Sequence, residues 1–179
     1  RMAAQDVSLW GQKPQNDNEG NRFTLNEAWA QITYNEFFAK VGRQSLNYDD
    51  GRILSVSNWT PTGIWHDALK IGFENELNTL HLILAYNQSS EVTNSGTYYF
   101  PIGQPYQNMQ TIWYQYHNQA GFSASALFIN LGFETGDPTA VPLISDKKYL
   151  QTIGTNIGYK NNMWNFMATA YYQMGKNAN

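Results

Sequence analysis

The chain has 179 residues with a net charge of -3, 42% hydrophobic and 14% charged residues, 15% aromatics and no cysteine. Without cysteine, disulfides and thiolate metal sites are excluded, and the redox compartment is left undetermined. The charge balance argues against a general nucleic-acid binder, and no run approaches the ~18 apolar residues of a membrane-spanning helix.

Residues Ala4 to Lys13 alternate weakly and read as a first strand, followed by an Asn-rich polar connector from Pro14 to Arg22. A second strand runs from about Phe23 to Tyr34. Its Ala28, Ala30, Ile32 and Tyr34 share one face, and Glu27, Trp29, Gln31 and Thr33 share the other. That period of two places alternate side chains on opposite faces of a sheet. A turn at Asn35-Glu36 leads into a third strand, Phe37 to about Leu46. A long polar loop follows, with Asp49-Asp50-Gly51, Asn58 and Pro61-Thr62-Gly63, all turn chemistry. It far exceeds the ~2–5 residues of a tight hairpin. A fourth strand, Trp65 to Glu74, sets Leu69, Ile71 and Phe73 against His66, Lys70 and Glu74. A fifth, Thr79 to Asn87, sets Leu80, Leu82, Leu84 and Tyr86 against His81.

A second long loop, Gln88 to Asn108, precedes a sixth strand from Met109 to His117. The seventh strand covers Phe122 to Phe133, and a third long loop runs from Glu134 to Lys147. The eighth, Lys148 to Tyr159, joins the ninth, Asn162 to Gln173, through a tight Lys160-Asn161 turn. In the ninth, Trp164, Phe166, Ala168, Ala170 and Tyr172 fall on one face.

The strands are long, and the connections alternate long and short. Strands of about 9–11 residues with short turns at one end and longer loops at the other belong to transmembrane β-barrels. Aromatics near the turns (Tyr34, Phe37, Phe73, Tyr86, Tyr116, Tyr159, Trp164, Tyr172) match the interfacial girdles of such barrels. The expected fold is therefore all-β: an antiparallel up-and-down transmembrane β-barrel, with residues 1–179 forming part of one domain. About nine strands are present, whereas single-chain bacterial barrels have even numbers. That count, and ends that carry neither an initiator Met nor a signal segment, read as a fragment of a larger barrel. The alternative is a soluble β-sandwich that binds carbohydrate on loop aromatics such as Trp59, Tyr98 and Tyr99.

The stretches Phe23 to Trp29, Val41-Gly42-Arg43-Gln44-Ser45-Leu46-Asn47-Tyr48-Asp49-Asp50-Gly51-Arg52, Trp59-Thr60-Pro61-Thr62-Gly63 and His66-Asp67-Ala68 resemble the alginate export family of bacterial outer-membrane porins. The specific part is the order Gly-Arg-Gln, Asp-Gly-Arg, then Trp, Gly and Asp-Ala; beyond Asn75 the likeness is one of pattern. The resemblance implies an outer-membrane barrel of about 16–18 strands in a Gram-negative bacterium. It also implies a lumen lined by Arg and Lys and passage of anionic polysaccharide. Where many members continue Gly-Arg after the Trp, this chain has Ile64 and Trp65 after Gly63, so the substrate does not follow from the family name.

The candidate pore-lining or loop basic residues are Lys40, Arg43, Arg52 and Lys70; the candidate polar lining is Glu27, Gln31, His66, Glu74 and His81. Lys40 and Lys70 share the polar parity, and Arg43 joins them only if Gly42 marks a β-bulge. These bases either attract anions, as Arg or Lys rings do in anion pores, or brace the wall by pairing with Glu27, Glu74, Asp49, Asp50 and Asp67. Glycoside hydrolysis would need a carboxyl pair about 5–9.5 Å apart, which a sequence does not reveal. No nucleophile elbow, phosphate loop or metal-ligand spacing is present, and Asp49-Asp50-Gly51 reads as a turn before it reads as a Ca²⁺ loop. The expectation is a channel with no catalytic activity, metal or cofactor. Its expected partners are the outer-membrane bilayer, small hydrophilic or anionic saccharide solutes and other outer-membrane proteins, with no nucleic acid.

Overall fold

A computed structural model describes residues 1–6, 23–56, 64–88, 99, 104–137 and 144–177. Among these, nine strands form one sheet in sequence order, every neighbouring pair antiparallel. They are Met2–Asp6 (β1), Phe23–Tyr34 (β2), Phe37–Gln44 (β3), His66–Glu74 (β4), Asn78–Tyr86 (β5), Asn108–His117 (β6), Phe122–Asp137 (β7), Ile144–Lys160 (β8) and Asn165–Gly175 (β9). The described residues form an up-and-down meander without helices, consistent with part of a barrel wall; the sheet is open along β1 and β9.

The short turns have a common chemistry. Each begins with an asparagine: Asn35, Asn75, Asn118 and Asn161. Asn35 takes a left-handed φ of 52°, which asparagine tolerates. The Oδ1 atoms of the other three accept amides from Asn78 (2.8 Å), Phe122 (3.1 Å) and Trp164 (2.6 Å). A side chain that mimics the next peptide carbonyl reverses the chain without help from the rest of the fold.

Two expectations are corrected, and one open alternative is settled. β1 starts earlier than expected, at Met2; the remainder of Ala4–Lys13 past Asp6 lies outside the described residues. The ends of the presumed third loop are strand: Glu134 pairs with Lys147 and Asp137 with Ile144, so β7 and β8 form one long hairpin. Gly42 has φ 118°, but β3 pairs with both neighbours through Gly42 without a shift. Arg43 therefore falls on the face of Ala39 and Val41, not that of Lys40.

The two faces differ. One is bare, exposing Ile32, Phe37, Val41, Leu82, Ile112, Phe128, Ile153 and Tyr172 among others. On the other, Leu46, Tyr48 and Leu54 from the loop after β3, and Tyr106 from the loop before β6, pack with Ile83, Met109, Trp113, Leu127 and Ile129 into one buried cluster. The core of this sheet is thus made by its long loops folding back over one face.

Candidate functional site

Residues paired directly across successive strands form rungs. On the covered face one rung runs Thr33, Phe38, Gly72, His81, Trp113, Leu127, Gly154, Tyr171. Its glycines make room for rings: a Cβ on Gly72 would strike the Phe38 ring, and one on Gly154 the Tyr171 ring. Covering a strand glycine with a cross-strand aromatic both fills the gap and fixes the ring.

The tip of the loop after β3 lies along this rung. Gly51 N–H donates to the Tyr48 carbonyl at 3.0 Å, and Asp49 and Gly51 take positive φ angles of 53° and 71°, conformations that Asp and Gly accept at low cost. Tyr48 packs on Trp113, with ring centroids 4.8 Å apart, and its hydroxyl lies 3.0 Å from His81 Nδ1. Because His81 Nε2 is 2.8 Å from Glu74 Oε1, a proton on Nε2 satisfies both contacts: the imidazole donates to Glu74 and accepts from Tyr48. Asp49 Oδ1 accepts from Trp113 Nε1 at 3.1 Å and from Ser125 Oγ. Asp50 Oδ1 accepts from the Tyr171 hydroxyl at 2.8 Å. A loop rooted at β3 and β4 is therefore fastened to β5, β6, β7 and β9.

Electrostatics agree with this seating. Burial, together with the nearby Glu74 charge, pushes the Tyr48 phenol above its ordinary value, so it stays a neutral donor. For Asp50, slight burial works against ionisation, but hydrogen bonds from Tyr171 and the Arg52 amide, with the Arg52 charge, outweigh it and hold the carboxyl below its usual range.

Lys40 and Lys70 are direct cross-strand partners, one rung nearer the long loops, with Gln31 next to Lys40. Like charges placed so repel. The Lys40 ammonium sits 3.9 Å from the centroid of Trp29 and that of Lys70 5.2 Å from Phe38, a partial relief from the ring quadrupoles. Neither lysine takes part in an ion pair among the described residues. Arg43, on the bare face, grips Asp67 with Nε and one terminal nitrogen at 2.9 and 2.8 Å and stacks 3.6 Å over Trp65. Arg52 is exposed and pairs with Asp50 at 3.1 Å. Glu27 pairs with Arg1 at 2.8 Å and accepts from Ser45, while Gln31 donates to Thr33 Oγ1 at 3.2 Å. His66 is buried, its Nδ1 against the Tyr106 hydroxyl. Trp59 and Tyr98 lie outside the described residues, and Tyr99 is buried with its hydroxyl donated to the Gln104 carbonyl.

Below the loop tip, toward the short turns, lies a hollow of about 600 Å³. Glu74, Thr79 and Gln115 line its floor and belong to a polar rung that continues through Ser125, Asn156 and Thr169. The anchors Trp113, Ser125 and Tyr171 were not among the expected site residues. The signal for two of them was an aromatic out of pattern: Trp113 and Tyr171 sit at the polar parity of their strands.

A long-stranded antiparallel meander with one bare apolar face, and long loops packed on the other, is the architecture of part of a β-barrel wall. The alginate export family matches the chain over residues 1–179, and the chain belongs to that family. No curated protein and no solved structure matches it.

Proposed function

We propose that this chain forms part of the wall of an outer-membrane porin passing hydrophilic solutes, anionic saccharides among them, through a lumen narrowed by the loop at residues 45–56. The observation that carries the reading is one bare rung: Ile32, Ala39, Ile71, Leu82, Ile112, Phe128, Ile153, Tyr172. It is apolar across eight strands, far beyond the apolar patches of a few hundred Å² that soluble monomers expose. It matches the lipid-facing band of a barrel.

The next rung adds direction. It begins Ala30, Val41, Leu69, Leu84, turns polar at Gln110, Asn130 and Gln151, and ends at Met174. The amides chain together, Gln151 donating to Asn130 at 2.9 Å and Asn130 to Gln110 at 2.6 Å. At the other end, Phe122, Tyr159 and Phe166 form an aromatic rung at the last short turn. The apolar band thus slides toward the short turns from β2 to β8, as it must when strands tilt by about 45° against a flat bilayer. The soluble sandwich would need a second sheet over the bare face, and the described strands form one sheet.

Selectivity in this reading comes from Lys40 and Lys70, whose charges raise the local anion concentration in a narrow low-dielectric lumen. Converting both to Glu is expected to shift ion preference toward cations. The shift should shrink as the screening length falls from about 10 Å at 0.1 M to about 3 Å at 1 M salt. Reversal potentials of the complete barrel in a planar bilayer measure it; an unchanged potential would make these lysines wall struts outside the conduction path.

A further inference from the structure

The hollow beneath the loop tip carries charges of both signs. Lys70 lines it from β4, Glu74 from the end of the same strand, and Asp49 from the loop. Lys70 and Glu74 are four residues apart on one face, so their Cα atoms are separated by about 13 Å. They form no ion pair with each other. Glu74 meets His81 through Oε1, and both bonds to Asp49 fall on Oδ1. The Lys70 ammonium has the rings of Phe38 and Tyr48 at 5.2 and 6.0 Å. A fixed positive charge and two fixed carboxylates thus border one space of small-molecule size, walled in part by the buried Tyr48 and Trp113.

We propose that this hollow is a binding station for small zwitterionic solutes, with an anionic group against Lys70 and an ammonium group against Glu74 and Asp49. The inference rests on the porin reading and goes beyond it: anions pass along the lumen, whereas the hollow beside it retains zwitterions. A simple anion entering the hollow meets Lys70 but also two carboxylates; a simple cation meets the carboxylates but also the ammonium. Only a solute carrying both charges pairs with both walls, and juxtaposed like charges penalise the rest. Gln115, on the floor of the hollow, adds an amide that serves either end of such a solute.

Three probes with the same four-carbon chain separate the cases: γ-aminobutyrate, butyrate and n-butylammonium. Calorimetric titration of the full-length barrel in nanodiscs is expected to show γ-aminobutyrate binding about tenfold more tightly than either singly charged probe, the effect of one additional desolvated charge pair. Lys70→Gln should leave the zwitterion no better than butylammonium. The exchange Lys70→Glu with Glu74→Lys should recover a preference for the zwitterion, because the solute can turn around; a mere wall brace would not produce that. Heat-dependent gel mobility identifies folded variants, and the wild-type comparison of the three probes decides alone if a variant fails. Equal binding of the three, or butyrate ahead, overturns the station. Solute entry into vesicles carrying the barrel is measured in parallel. Vesicles impermeable to all three probes would remove the porin reading, whereas permeable vesicles with no zwitterion preference in binding would remove only the station.

Discussion

Two adjacent rungs of this sheet, offset by a single residue along each strand, follow different rules. The bare rung from Ile32 to Tyr172 is apolar at every position, whereas the covered rung from Thr33 to Tyr171 mixes rings, glycines, a histidine and a leucine. A bilayer is a continuous solvent that asks only for apolar surface, so neighbouring positions on the bare face are interchangeable. The covered rung fits one loop tip, and His81, Trp113 and Tyr171 answer to particular atoms of Tyr48, Asp49 and Asp50.

The largest effect should come from violating the bare face. Leu82→Arg is expected to cost about 2–4 kcal/mol of insertion free energy if the residue lies near the midplane. Gln115→Arg, which faces the open hollow, should be tolerated. Folding yields into lipid vesicles compare the two, and equal yields would mean that the faces are assigned the wrong way round.

Overpacking sharpens the contrast from the other side. Gly154→Val places methyls where the Tyr171 ring lies and should destabilise by about 1–3 kcal/mol. Ala126→Val, on the exposed bare face, should be near neutral because lipid yields. Thermal unfolding in detergent separates them, and matching losses would show that the ring and the glycine are not coupled.

Smaller still is Tyr171→Phe, which removes one hydrogen bond to Asp50 and loosens the loop by about 1 kcal/mol. Single-channel conductance should rise, while Tyr172→Phe next to it should leave conductance unchanged. No difference between the two would place the loop tip outside the path of ions.

The smallest is an acid effect on that contact. The Asp50 carboxyl titrates below its usual range in the folded state, so the stabilisation it gives is complete above the ordinary aspartate value of about 3.9 and is lost as pH falls through the lower folded value. Conductance should stay level from pH 8 to about pH 5 and rise only below about pH 4. Asp50→Asn should flatten that acid limb, and a limb that survives the substitution would belong to another group.

The sequence and the structure agree closely where the bilayer reading imposes a rule. The alternation Leu80, Leu82, Leu84 identifies β5 and its faces, and β2 matches its expected bounds. Agreement fails at Glu134–Asp137 and Ile144–Lys147, where the long hairpin runs past the apolar band and no solvent demands alternation; Gly136 and Asp137 look like loop residues but pair as strand. It fails again for Ile83, Leu127 and Ile129, apolar residues at the polar parity. Periodicity cannot explain them, because what buries them is a loop arriving from far along the chain. Arg43 shows the same limit in another form, since the residue types around Gly42 do not announce whether pairing shifts there, and the register that decides its face is a property of three strands together.

The bond between Asp50 and Tyr171 joins residues 121 apart in sequence, and that separation has a consequence in time. Contacts between distant residues form late, because closing a long stretch of chain costs entropy before the contact repays it. Tyr171 reaches its place only when β9 has zipped onto β8, at the end of a chain of pairings that begins at the loop's own root. The loop tip therefore cannot complete its contacts until the wall reaches β9. Its docking is a late folding event, and protection of residues 48–52 from proteolysis would serve as a clock for completion of the sheet.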